Sequence, residues 1–254
     1  MQDSGKVLVE RRGAVGVITL NRPEKRNALD AETTDGLGLA IAALEDDPTV
    51  KVLVLTGAGD RAFCAGMDLS GVGAKRDRTV GSSRYMAFVE SGSAKPVIAA
   101  VNGAAVAGGF ELMLACDLAV AADHARFGIP EVKRGLVAGA GGTLLPLLIP
   151  MPIALELGLT GELITAQRAY ELGLVNRVVP GEDVLREALE LAAVIAANSP
   201  TAVRVTRSLM YDTRELPASA AWERVKAALP EVLGGPDAIE GARAFMEKRA
   251  PRWS

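Results

Sequence analysis

The chain has 254 residues, 49% of them hydrophobic, and a formal net charge of −3. That length and apolar content suffice for one large buried core, and a near-neutral balance with no basic face argues against a nucleic-acid partner. No apolar run reaches the length of a membrane span, and Met1 to Arg12 lacks the apolar stretch of a signal peptide, so the expectation is a cytoplasmic protein with no membrane partner.

In chain order, Val7–Glu10 and Val15–Leu20 flank Arg11-Arg12-Gly13-Ala14 and predict a hairpin. A helix is expected from about Ala31 to Leu44, with Asp30 as its N-cap and Pro48 beyond its end. Strands are expected at Val50–Thr56, Val97–Val101, Leu118–Ala122 and Val175–Val179, with helical stretches between them. Ser70 to Lys95 is polar and Gly/Ser-rich, with the basic run Lys75-Arg76-Asp77-Arg78. It predicts a flap, or a short helix around Ser83–Glu90, whose basic run is a solvated surface rather than a phosphate clamp. After Pro200 the pattern turns helical, at Thr201–Tyr211, Pro217–Ala228 and Asp237–Lys248, broken by Pro217, Pro230 and Gly234-Gly235-Pro236. The expected organisation is an α/β core over residues 1–199 and a helical segment over 200–254.

Chemistry concentrates after two of these strands. Val97–Val101 runs into a Gly/Ala-rich turn in which Gly108 and Gly109 let the backbone approach a ligand. Phe110 to Ala115 then reads as the first turns of a helix carrying Glu111. Amides at such a helix start suit an oxyanion, although a first-turn glutamate also simply complements the helix end. Glu131 follows twenty positions later in Phe127-Gly128-Ile129-Pro130-Glu131. Upstream, Val50–Thr56 leads to Ala65-Gly66, small residues that again free the backbone for a second oxyanion donor. Gly57-x-Gly59-x-x-Ala62 imitates a dinucleotide-binding turn, but Phe63 to Gly66 does not continue a helix and no ribose-binding acid follows at the right distance. Cys64 and Cys116 lack metal-ligand or redox spacing and read as reduced, buried thiols. His124 is the one histidine, which leaves a Ser-His hydrolase or a His-ligated metal without partners.

Four stretches now stand together: Asn21-Arg22-Pro23-Glu24-Lys25-Arg26-Asn27-Ala28-Leu29, Ala62-Phe63-Cys64-Ala65-Gly66-Met67-Asp68-Leu69, Ala107-Gly108-Gly109-Phe110-Glu111-Leu112, and Pro130-Glu131. In their order and spacing they resemble the enoyl-CoA hydratase/isomerase (crotonase) family across nearly the whole chain. The resemblance implies an α/β spiral of ββα units with a C-terminal helical segment that packs at trimer contacts, two trimers commonly stacking into a hexamer. It implies an acyl-CoA thioester whose carbonyl oxygen lies between the Met67 and Gly108 amides, with Glu111 and Glu131 as the acid/base pair. Lys25, Arg26, Ala28, Ala65, Asp68 and Leu69 fall at substrate- or CoA-binding positions, and Phe245 and Lys248 where the family reaches toward the CoA of an adjacent subunit. No metal or redox cofactor is implied, coenzyme A being part of the substrate. An alkylated Cys64, three positions before Met67, would be expected to block the site.

The chain departs from the family after Glu131, where Gly-x-x-Pro-Gly-Ala-Gly-Gly-Thr-Gln-Arg is common. Here Ala138 replaces the proline and Leu144-Leu145 the Gln-Arg pair. This bears on the acyl end of the pocket, and the apolar run Leu144 to Ile149 is expected to reflect burial. The activity expected is hydration of a trans-2-enoyl-CoA. The alternatives are a carnitinyl-CoA-type dehydratase, an enoyl-CoA isomerase, or an acyl-CoA-binding subunit without turnover.

Overall fold

The computed structural model describes residues 5–71 and 80–254. Strands β1 (Val7–Arg12) and β2 (Val15–Leu20) form the expected hairpin, with Val7 opposite Leu20 and Gly13 at positive φ in the turn. Helix α1 (Ala31–Asp46) starts at Asp30, whose Oδ1 accepts from the Thr33 backbone N–H and from the Thr33 hydroxyl, each at 2.8 Å. Burial opposes the charge on Asp30, but Lys6, the two Thr33 donors and Arg22 outweigh it and hold the carboxyl down at about 2.

The next elements repeat a pattern. Strands β3 (Val52–Gly57) and β4 (Ala62–Cys64) precede helix α2 (Val80–Ser91); β5 (Val97–Val101) and β6 (Ala104–Val106) precede α3 (Gly108–Leu114); β7 (Leu118–Ala122) and β8 (Arg126–Gly128) precede α4 (Met151–Thr160). In each repeat the first strand joins a large sheet and the second a small one. After β9 (Ile164–Thr165), α5 (Ala166–Glu171) and β10 (Arg177–Val179), the large sheet has the order β1-β2-β3-β5-β7-β10 and the small sheet β4-β6-β8-β9. The result is the spiral of ββα turns implied by the motifs. From β2 onward the large sheet is parallel, and all residues of β3 and β5 are buried, as for strands covered on both faces. Phe63, Phe110 and Phe127, from successive turns, are fully buried, with the Phe110 and Phe127 ring centroids 5.8 Å apart.

The short strands β4, β6 and β8 were not anticipated, since three residues carry too little alternation to register. Within Ser70–Lys95, α2 forms where the short helix was expected and is longer; the run Lys75–Arg78 lies outside the described residues. No helix among the described residues is long and apolar enough to cross a membrane.

A first compact unit ends at Ala192 and a second runs from Ala193 to Ser254, dividing α6 (Val184–Ala196). The second contains α7 (Pro200–Glu215), α8 (Ala218–Leu233) and α9 (Pro236–Met246). Pro230 does not break the chain as expected: it sits inside α8 near its end, where the helix continues to Leu233 with the loss of a single backbone donor. Buried Asp237 organises this unit, accepting from the Ser199 hydroxyl at 2.6 Å and from the Ser254 amide at 2.9 Å.

In the first unit, Asn27 stitches the opening motif to the β3–β4 connection. Its side chain is buried; Oδ1 accepts from the Arg22 N–H at 2.9 Å, and Nδ2 donates to the carbonyls of Ala58 at 3.0 Å and Ala62 at 2.8 Å. Asn27→Ala removes these three bonds and is expected to lower the unfolding free energy by about 1–3 kcal/mol, read as an earlier midpoint in urea denaturation.

Candidate active site

Three neighbouring strands of the small sheet deliver the site from their carboxyl ends. In the parallel order β4-β6-β8, Ala62 pairs with Ala104 and Ala105 with Phe127. The chain leaving β4 reaches Met67, the chain leaving β6 reaches Gly108 and Glu111, and the chain leaving β8 reaches Glu131. The sequence signals more than sixty residues apart converge because the spiral stacks equivalent turns.

The two amides expected to bind an oxyanion are set by backbone geometry. Leu29 bridges Met67 in parallel fashion, donating to the Gly66 carbonyl at 2.8 Å and accepting from the Asp68 amide at 2.9 Å. That pattern uses the groups on either side of Met67 and turns its own N–H to the opposite edge. Gly108 is the first residue of α3, so its N–H has no partner within the helix. Among the described residues neither amide has an acceptor. A Cβ built on Gly108 would lie 3.6 Å from the Met67 nitrogen, which places the two amides side by side. Between β6 and α3, Ala107 adopts φ 53°, ψ −130°, a conformation that costs a non-glycine residue about 1–3 kcal/mol. Its amide is tied to the Gly128 carbonyl at 2.9 Å.

The two carboxylates are held differently. Glu111 is buried, and its Oε1 accepts from the amides of Ala140 at 2.8 Å and Gly142 at 2.9 Å. The stretch Gly139-Ala140-Gly141-Gly142, noted in the sequence only as a family landmark, is thus the clamp that orients Glu111. Glu131 sits in a 3₁₀ turn, Pro130–Arg134, and its Oε2 is buried with no hydrogen-bond partner among the described residues. Burial raises its pKa, helped by the charge of Glu111 and opposed by its own backbone amide and by Arg134.

A cavity of about 680 Å³ joins these groups. Its lining includes Leu29, Ala65, Met67, Leu69, Gly108, Glu111 and Glu131. Tyr85 of α2, which carried no signal in the sequence beyond the helical stretch, also lines it, buried and with its hydroxyl pKa pushed up by that burial. Asp68 lies behind the lining, one oxygen on Arg22 at 3.2 Å and the other on the Ser70 hydroxyl at 2.7 Å. Arg22, itself buried, also donates to the Ala28 carbonyl at 2.6 Å, so Ala28 and Asp68 are braced by a residue to which the sequence assigned no role. Lys25 and Arg26 project into solvent from the Pro23–Lys25 turn and do not line the cavity. Phe245 and Lys248 belong to the second unit and are exposed, Phe245 by 86%.

Two expectations are corrected. Cys64 is fully buried, burial pushes its thiol up to about 12, and it does not line the cavity, so it offers no thiolate for an alkylating reagent to block the site. In Leu144–Ile149 only Leu145 and Ile149 are fully buried, while Leu144, Leu147 and Leu148 are exposed, so burial does not account for the whole run. Phe63 and Cys64 lie in β4, consistent with rejecting the dinucleotide-binding turn. His124 is exposed, its Nε2 3.1 Å from the Asp60 carbonyl oxygen.

Comparison with known proteins agrees with this geometry. The enoyl-CoA hydratase/isomerase family model matches residues 10–254. A carnitinyl-CoA dehydratase of Salmonella arizonae is 40% identical over 98% of each chain, and one of Escherichia coli K12 is 41% identical over 96% of each. The crystal structure of an enoyl-CoA hydratase from Mycobacterium tuberculosis H37Rv superposes with a TM-score of 0.91 at 46% identity, covering 98% of this chain and 99% of that one. The chain belongs to the enoyl-CoA hydratase/isomerase, or crotonase, family of acyl-CoA enzymes.

The environment of Glu131 sets a sign for pH dependence. A carboxyl whose pKa is raised on folding keeps its proton in the native state after the unfolded chain has lost it, so stability falls as pH rises from the ordinary carboxylate range through the folded value. Glu131→Gln removes that loss. Its melting temperature is expected to exceed that of the wild type by a margin that grows from about pH 4 to about pH 8; a pH-independent margin would contradict the burial argument.

Proposed function

We propose that this protein is a hydro-lyase that adds water across the α,β double bond of a trans-2-enoyl-CoA, or removes it in reverse. The observation that carries this reading is the pairing in one cavity of a carboxylate clamped by two backbone amides, Glu111, with a partly buried carboxyl bearing an unpartnered oxygen, Glu131.

In this reading the thioester carbonyl oxygen accepts from the Met67 and Gly108 N–H groups. Glu111 takes a proton from water as the oxygen bonds to Cβ, and the electron pair of the double bond moves through Cα onto the thioester oxygen, where the two amides receive it. Glu131, favoured in its neutral form by burial, then delivers a proton to Cα. One oxyanion donor is worth roughly 10²–10³ in rate and one positioned acid or base about 10²–10⁴, so both devices are required. Every step is assigned to a side chain or amide of this chain, and none calls for a metal or redox group.

The relatives named carnitinyl-CoA dehydratase favour a second reading, dehydration of a 3-hydroxyacyl-CoA. It uses the same residues in the opposite direction. An isomerase needs only one proton-transferring carboxylate, so the retention of both glutamates favours water chemistry. A binding subunit without turnover would have no use for the pair.

Glu111→Gln and Glu131→Gln are each expected to reduce turnover of an enoyl-CoA panel beginning with crotonyl-CoA by at least about 10², followed as loss of the conjugated thioester absorbance. Thioesters that bind to the wild type without being consumed would overturn the hydro-lyase reading.

We further propose assembly as a homotrimer or a dimer of trimers. Trp222, Leu233, Ile239, Phe245 and Met246 leave large apolar side chains exposed on α8 and α9, which supports a covering copy of the chain. Light scattering is expected to give the mass of three or six chains; a monomer would overturn this.

A further inference from the structure

Among the described residues one cation, Arg134, lines the cavity and has no assigned role. We propose that Arg134 selects acyl groups bearing an anionic substituent, a carboxylate at the end remote from the thioester. This inference rests on the reading of the cavity as an acyl-CoA site.

Arg134 ends the 3₁₀ turn that begins at Pro130, and Gly135 at φ +68° closes the turn with its N–H on the Val132 carbonyl. Side chains three apart in a 3₁₀ turn eclipse one another, so this turn presents Arg134 on the same side as Glu131. A substrate placed for proton transfer by Glu131 therefore passes the guanidinium.

Among the described residues Arg134 makes no ion pair and no side-chain hydrogen bond. The adjacent Lys133 is engaged outside the cavity, 2.6 Å from Glu162, and Arg22 is engaged with Asp30 and Asp68. The two carboxylates of the cavity do not satisfy it either. Glu111 Oε1 is taken by the Ala140 and Gly142 amides, and Glu131 feels the positive charge of Arg134 without forming an ion pair with it.

Beside Glu111, Glu131, Tyr85 and Thr34, the described lining supplies apolar surface from Leu29, Met67, Leu69, Met86 and Val106, and it contains no second cation. Hydrocarbon fits that wall, and a carboxylate can accept two parallel N–H bonds from a guanidinium. A cationic acyl terminus meets repulsion at the same place. Because Arg134 is exposed, solvent screening limits the discrimination to a moderate factor.

The test is calorimetric binding of three saturated thioesters: glutaryl-CoA, hexanoyl-CoA and an acyl-CoA ending in a trimethylammonium group. Being saturated, they report binding whether or not the protein carries out water chemistry. The wild type is expected to bind glutaryl-CoA about 2- to 5-fold more tightly than hexanoyl-CoA and the cationic thioester least tightly, with the glutaryl preference shrinking as salt is raised. Arg134→Gln is expected to bring the glutaryl-to-hexanoyl ratio close to one, and Arg134→Lys to leave it intermediate. Equal binding of the three by the wild type overturns the proposal. So does an Arg134→Gln variant that weakens all three alike, which would assign the guanidinium to the phosphates of coenzyme A. Failure of every thioester to bind the wild type would instead overturn the acyl-CoA reading of the cavity.

Discussion

Helix α3 approaches strand β4 so closely that a Cβ at position 109 would lie 2.0 Å from the Cys64 carbonyl oxygen. Only glycine permits that contact, and the site depends on it. The approach brings the start of α3 beside the Gly66–Met67 segment, where a Cβ on Gly66 would in turn meet Ala107 Cβ at 2.9 Å and the Gly108 nitrogen at 3.0 Å. Gly66 is also held at φ +87°, a region that side chains avoid. Two backbone amides are thereby fixed side by side without any side chain to hold them. Preorganisation of this kind needs no rearrangement when charge develops on a bound oxygen. The strain at Ala107 is supported by the adjoining β8 strand through the Gly128 carbonyl.

Support for the two glutamates is unequal, in line with the different tasks proposed for them. Glu111 rises from the first turn of a helix in the core, and its position is over-determined by two amides from a distant loop. Glu131 stands in a short 3₁₀ turn with one oxygen unsatisfied, an arrangement that favours the neutral acid over the anion. Placing two carboxyls in one cavity would ordinarily be unfavourable because like charges resist joint ionisation. Here one accepts from two backbone amides, while burial favours the neutral form of the other.

Much of this was legible in the sequence, for definite reasons. Val97–Val101 and Leu118–Ala122 are continuous apolar runs of strand length, and the structure forms β5 and β7 over those same residues. Asp30 announces a helix start as an N-cap, and α1 begins there. The family motifs named Met67, Gly108, Glu111 and Glu131, and the fold brings all four to one cavity. What stayed hidden depends on contacts between distant segments. The small sheet is made of strands too short to show a period. The Glu111 clamp is made by amides, which carry no side-chain signature. The brace formed by Arg22 and Asn27 is a set of bonds from one loop to several others, and Pro230 is tolerated because its helix has only one more turn to run.

The seam between α3 and the small sheet also determines the thiol chemistry of the molecule. Cys64 beneath Gly109 and Cys116 just after α3 are the only cysteines, both are buried, and burial shifts both thiols well above the usual range. The native protein thus presents no reactive sulfur to solvent. A single cysteine introduced on its surface would be modified alone, so a fluorophore or spin label could be attached at one chosen position without first removing the natural thiols.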